Sequence, residues 1–203
     1  MSPASITLSV VAALAVLKLW SSDYLALRKG RPVDKPLPGA TPAPLWLIGV
    51  SVLVSVLIVG VETSGEYSLG ISGEQSTVTV FYLMAMIGAG IVEELLFRGF
   101  FLVQNKGRAA MLGSIVGFSL VFALIHGHLL AKPDAQGGSY ALTFAAGPLW
   151  WTFILFVNSL WWYAVRVIPA NKNRSLLPCF AGHIASNLAV FAIKLAQGFV
   201  IWF

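Results

Sequence analysis

Leu45-Trp46-Leu47-Ile48-Gly49-Val50-Ser51-Val52-Leu53-Val54-Ser55-Val56-Leu57-Ile58-Val59-Gly60-Val61 contains no ionisable side chain and is bounded by Pro44 and Glu62. A helix of about 20 apolar residues crosses the roughly 30 Å hydrocarbon core of a bilayer. The stretch therefore reads as the body of a membrane-spanning helix over 43–62. Five further apolar segments share its character: 4–22, 78–103, 110–130, 140–165 and 176–202. Lipid offers no hydrogen-bond partner to an open backbone, so each segment is expected to be helical. The expected fold class is all-α, a polytopic transmembrane helix bundle of about six spans, with residues 1–203 forming a single integral membrane domain.

Composition agrees. Hydrophobic residues make up 58% of the 203 positions and charged residues only 10%, against about a quarter charged in soluble domains. The net charge of +5 is explained by basic loops beside anionic lipid headgroups, and nothing in the chain reads as a nucleic-acid module. A single cysteine, Cys179, leaves no internal disulfide and no cysteine-rich metal cage. No positive charge precedes the apolar residues 5–20 and Lys18 lies inside them, which favours a retained first span over a cleaved signal peptide.

The loop charges orient the bundle. Arg28, Lys29, Arg31 and Lys35 fall in 28–44, Lys106 and Arg108 in 104–109, and Arg166, Lys172 and Arg174 in 166–175. The alternate connections hold only Lys132, and 62–77 carries Glu62, Glu66 and Glu74 with no Lys or Arg. Basic loops stay cytoplasmic, so the expectation is a multi-pass protein of the cell inner (plasma) membrane with both termini non-cytoplasmic. Trp46, Trp150, Trp151, Trp161, Trp162 and Trp202 lie near expected span ends, where tryptophans anchor helices at the interface.

An ionisable group inside a span is costly and marks a functional position by default. Ile91-Val92-Glu93-Glu94-Leu95-Leu96-Phe97-Arg98 holds two adjacent carboxylates and a guanidinium. Glu94 and Arg98 share a helix face and are placed to pair, while Glu93 is turned about 100° away toward another helix. The fourth span ends in Phe122-Ala123-Leu124-Ile125-His126-Gly127-His128. Phe122 and His126 share a face, so the phenyl ring is expected beneath the imidazole; His128 reads as an interfacial polar residue. In the sixth span, His183 and Asn187 share a face. A carboxylate, imidazoles and a carboxamide together are able to activate a water and stabilise an oxyanion. Interhelical hydrogen-bond glue, worth about 1 kcal/mol per group, does not account for two adjacent glutamates.

Glu93-Glu94-x-x-x-Arg98, Phe122-x-x-x-His126 and His183-x-x-x-Asn187, in that order on three apolar helices, resemble the motifs of the CAAX protease and bacteriocin-processing family. Its members include the type II CAAX prenyl endopeptidases and are glutamic intramembrane proteases. The resemblance covers the core motifs, 93–187. It implies that Glu93 is the general base on a water that His126 helps to hold, that His183 and Asn187 stabilise the oxyanion, and that Glu94, paired with Arg98, braces the site. It implies no cofactor and no required metal. The implied partners are the lipid bilayer and a membrane-associated protein or peptide substrate. The family's better-known substrates are prenylated C-terminal tails, but the short loops and compact size of this chain favour a C-terminal sorting tail or a peptide leader instead.

Four other readings compete. Two histidines and a glutamate are a known zinc ligand set. Cys179, His183 and Asn187 stack on one face as a thiol–imidazole arrangement, although a small buried cysteine explains the first of them equally well. Glu93 and His126 would suit a proton relay, but six spans without inverted repeats are few for a transporter. A non-catalytic scaffold or bacteriocin-immunity protein is also compatible with the family. One difficulty is one of depth. Straight spans put His126 about 25 Å from the cytoplasmic ends and Glu93 and His183 only about 12–15 Å, so either the Lys106–Arg108 turn dips away from the bilayer or the helices tilt.

Overall fold

A computed structural model describes residues 3–131 and 139–202. Its elements in chain order are α1 (Pro3–Arg28), α2 (Leu45–Leu69), β1 (Val78–Thr79), α3 (Tyr82–Glu94), α4 (Arg108–Ile125), β2 (Leu130–Ala131), β3 (Ala141–Leu142), α5 (Ala146–Val167), α6 (Leu177–Ala196) and β4 (Val200–Ile201). The fold is all-α, as the apolar runs require. Among the described residues, α1, α2, α4 and α6 are long and apolar enough to cross a membrane. The strands are two-residue pairs that tie connections together: β1 runs parallel to β4, and β2 antiparallel to β3.

Several boundaries differ from expectation. α2 continues to Leu69, closed by Gly70 in the left-handed region at φ 70, so Glu62 and Glu66 stand on a helix rather than in a loop. The fourth helix stops at Ile125, and Gly127 turns the chain at φ 74 into the β2–β3 hairpin. The last helix ends at Ala196 and leaves 200–201 to pair with the start of the α3 segment. α5 extends through Arg166, whose side chain is buried instead of lying in a cytoplasmic loop. Lys132, the one basic residue opposing the charge asymmetry, lies outside the described residues.

The third segment is 13 α-helical residues followed directly by a π-helical stretch, Leu95–Phe100. A helix end leaves carbonyls without intrahelical partners, and here α5 supplies donors. The Tyr163 hydroxyl donates to the Phe97 carbonyl (2.7 Å) and Arg166 Nε to the Arg98 carbonyl (3.2 Å).

The depth difficulty resolves in the α3–α4 register. Phe97 packs edge-on to Phe122 with ring centroids 5.2 Å apart, Phe101 stacks on Phe118 at 4.9 Å, and Val103 N–H donates to Ser114 Oγ at 3.2 Å. The chain after Phe100 therefore runs on beside α4 before turning, and the first turns of α4 lie beyond the end of the third segment. Continuing the same antiparallel register brings Glu93 level with His126.

Glycine permits the closest helix approaches. A Cβ on Gly182 of α6 would meet Ser51 Oγ at 2.5 Å and Ser55 Oγ at 2.8 Å on α2, and Ser51 Oγ already donates to the Pro178 carbonyl (2.6 Å). Gly90 similarly lets α3 lie against Ile184 and His183. Gly182→Ala is expected to cost about 1–3 kcal/mol through overpacking. Denaturant or thermal unfolding in detergent checks this; an unchanged midpoint contradicts it.

Candidate active site

Glu94, Arg98 and His183 form a buried ion-pair cluster. Arg98 Nη1 donates to Glu94 Oε1 at 2.9 Å, and neither side chain has any exposed surface. His183 Nδ1 donates to the same oxygen at 2.8 Å. Charges removed from water need such charge-assisted bonds to be tolerated. Arg98 is also packed over the rings of Phe122 (4.6 Å), Tyr163 (4.9 Å) and Trp162 (5.0 Å), and its Nη2 donates to Ser159 Oγ, which donates onward to Ser119 Oγ. The expected Glu94–Arg98 pairing is thus present, and it carries a second partner, His183, from α6.

Glu93 takes the other direction, as its helical offset requires. Its Oε2 lies 3.9 Å from His183 Nε2, its side chain is 29% exposed, and that oxygen is buried with no hydrogen-bond donor in reach among the described residues. His183 therefore stands between the two glutamates, tied to Glu94 through Nδ1 and facing Glu93 with Nε2. The indole of Trp162 stacks on its ring at 4.0 Å and 14°, and Trp162 Nε1 is fixed by Ser55 Oγ at 3.1 Å. Trp162 is a buried wall of the site rather than the interfacial anchor its position suggested. His126 sits at the end of α4 with its ring 4.7 Å from that of Phe122. Its Nδ1–H donates to the Phe122 carbonyl at 2.7 Å, which leaves Nε2 as the acceptor nitrogen of the neutral ring. Asn187 Nδ2 donates to the Met86 carbonyl at 2.8 Å, holding one of its two N–H groups and leaving the other.

Glu93, His126, His183 and Asn187 all line one cavity of about 820 Å³, whereas Glu94 and Arg98 do not reach it. The cavity continues away from these residues toward Glu62, Glu66, Gln75, His128 and Lys194. There Glu66 accepts hydrogen bonds from Trp151 Nε1 and Gln75 Nε2, both at 2.7 Å. His128, expected at the interface, lines this end beside Trp151. Cys179 is fully buried, donates to the Trp162 carbonyl and does not line the cavity, so it is a packing residue. Among the described residues, no three His, Cys, Asp or Glu side chains are grouped to share a metal ion.

Ser159, Trp162, Tyr163 and Arg166 were not anticipated as parts of the site. A signal for them exists: Ser159, Tyr163 and Arg166 fall four and then three residues apart, a polar stripe on an otherwise apolar helix.

This multi-pass membrane protein thus sets a buried carboxylate–imidazole cluster against a cavity lined by Glu93, His126, His183 and Asn187. A family model described as type II CAAX prenyl endopeptidase Rce1-like matches residues 75–189, and the chain belongs to this family. A search of curated proteins and a search of solved structures each return no match.

Proposed function

We propose that this protein is an intramembrane glutamic endopeptidase that hydrolyses a peptide bond of a membrane-associated protein or peptide. Glu93 acts as general base on a water that His126 also holds through Nε2. The water oxygen attacks the scissile carbonyl as its proton passes to Glu93, and that proton then goes to the leaving amine as the C–N bond breaks. Asn187 donates its remaining N–H to the oxyanion. His183 has Nδ1 committed to Glu94, so it donates to the oxyanion through Nε2 only as the imidazolium. Asn187 is the donor that does not depend on protonation. Glu94 and Arg98 fix the His183 ring and do no chemistry themselves.

One observation carries this reading: residues from α3, α4 and α6 converge on a single cavity with a buried, unpaired Glu93 oxygen among them. The family membership supports the same activity.

The substrate we propose is a C-terminal sorting tail or peptide leader presented from the non-cytoplasmic side. None of the basic loops, 28–44, 104–109 or 166–175, contributes to the cavity lining. The lining extends instead to Glu74, Gln75, Ser76 and His128, on the connections opposite those loops. With basic loops cytoplasmic, the cavity opens outward, and both termini lie on that same side. Peptidomics of membranes carrying the wild-type protein or Glu93→Gln tests the proposal. One uncut tail or leader is expected to accumulate only with Glu93→Gln. Identical peptide profiles would contradict proteolysis and favour a binding role, which survives loss of the base.

A further inference from the structure

The cavity has a wall that the proposed chemistry does not use. Trp151, Leu155, Asn158 and Trp162 of α5 all line it, recurring at the spacing of one helix face. At one end of this stripe Trp162 stacks on His183; at the other, Trp151 is bonded to Glu66. The stripe is about 16 Å long at 1.5 Å per residue, the length of about five residues of extended chain.

Asn158 is the polar member in its middle. It is only 3% exposed, and its carboxamide oxygen is buried with no hydrogen-bond donor in reach among the described residues. Of the neighbouring buried polar residues of α5, Ser159 bonds Arg98 and Ser119, Tyr163 bonds a carbonyl of the π-helical stretch, and Arg166 bonds another through Nε while its Nη1 is without a partner among the described residues. A buried acceptor left without a donor is destabilising, and this one, unlike Arg166 Nη1, belongs to a residue that lines the cavity. A side chain with one acceptor oxygen and two N–H donors matches the N–H and C=O of a peptide main chain.

We infer that the α5 stripe is a substrate track on which Asn158 binds the main chain of an extended apolar peptide, holding it between the Glu66 end and the scissile position. Trp151 and Leu155 receive apolar side chains on the same face. This deepens the proteolytic reading and rests on it.

The test uses the full-length protein in detergent carrying Glu93→Gln, which keeps the track and stops turnover. The probe is one short apolar peptide, in farnesylated and unprenylated forms, with each peptide N–H replaced in turn by an ester oxygen. Binding is followed by fluorescence anisotropy. One ester position is expected to lose about tenfold in affinity, the worth of one buried hydrogen bond. Adding Asn158→Leu should weaken the parent peptide about tenfold and abolish the effect of the ester, the signature of a direct pair. Because that variant removes an unpaired carboxamide, its melting temperature should equal or exceed that of the Asn158 protein.

An ester effect that persists with Asn158→Leu, no sensitive position, or failure of both probes to bind overturns the inference. A lowered melting temperature with unchanged affinities does so too, by making Asn158 a packing residue. The ester scan on the Asn158 protein stands alone if the variant does not fold. Cleavage by the wild-type protein is measured separately, so a track that binds with no cleavage sinks the proteolytic reading and not the track.

Discussion

Glu93→Gln is expected to lower the rate of cleavage by about 10²- to 10⁴-fold, the usual contribution of a positioned general base, while the protein still folds. The substitution keeps the size of the side chain and the packing of α3. It removes the only carboxylate among the four proposed catalytic residues at the cavity. Glu93 Oε2 accepts no hydrogen bond among the described residues and lies 3.9 Å from His183 Nε2, so little of the fold depends on its charge. Initial rates in proteoliposomes on the tail identified by peptidomics measure the effect. A fall of less than tenfold, with melting temperature unchanged, would assign the proton transfer elsewhere.

Arg98→Met has the largest expected effect on stability, about 3–5 kcal/mol, the cost of breaking a buried ion pair by removing one partner. Glu94 has no exposed surface and accepts from Arg98 and His183 at one oxygen, while its other oxygen has no donor among the described residues. Without the guanidinium, a buried carboxylate keeps a single imidazole partner. The guanidinium also lies among Phe122, Trp162 and Tyr163 and bonds Ser159, so its loss loosens the packing that joins α3, α4 and α5. Urea unfolding in detergent is the measurement, and the double variant Glu94→Gln/Arg98→Met is expected to recover part of the loss because the orphaned charge is gone. Equal stability of wild type and Arg98→Met contradicts a load shared through this pair.

What could be read from the sequence was what one helix decides by itself. The charge-free run after Pro44 is a helix in the structure, and the four-residue spacings put Arg98 beside Glu94 and Phe122 beneath His126. The turn of about 100° between Glu93 and Glu94 separated Glu93 from the Glu94–Arg98 pair, but it did not show that only Glu93 lines a cavity or that both glutamates meet His183. Relations between helices were not legible. That His183 contacts both glutamates follows from the close α3–α6 approach at Gly90, which no spacing reveals. Trp162 resembled an interfacial anchor because nearness to an expected span end stood in for depth, and Arg166 resembled a loop residue because a charge was taken as the end of α5. Both are buried. The depth mismatch of His126 vanished only when the Phe97–Phe122 and Phe101–Phe118 contacts fixed the register. Glu62 and Glu66 were assigned to a loop for lack of any local signal that α2 runs to Leu69.

The central claim is that a water activated at Glu93 attacks the substrate directly, and a single turnover in heavy-oxygen water tests it. Enzyme in excess over the identified tail is allowed one cleavage, and the new carboxyl group is analysed by mass spectrometry. Direct attack predicts heavy oxygen in the new carboxyl in the first turnover, with no acylated protein at any time. An unlabelled first-turnover carboxyl, its second oxygen supplied by a side-chain carboxylate such as Glu93 through an anhydride that water opens at the side chain's own carbonyl, would contradict it, and so would any trapped acylated protein.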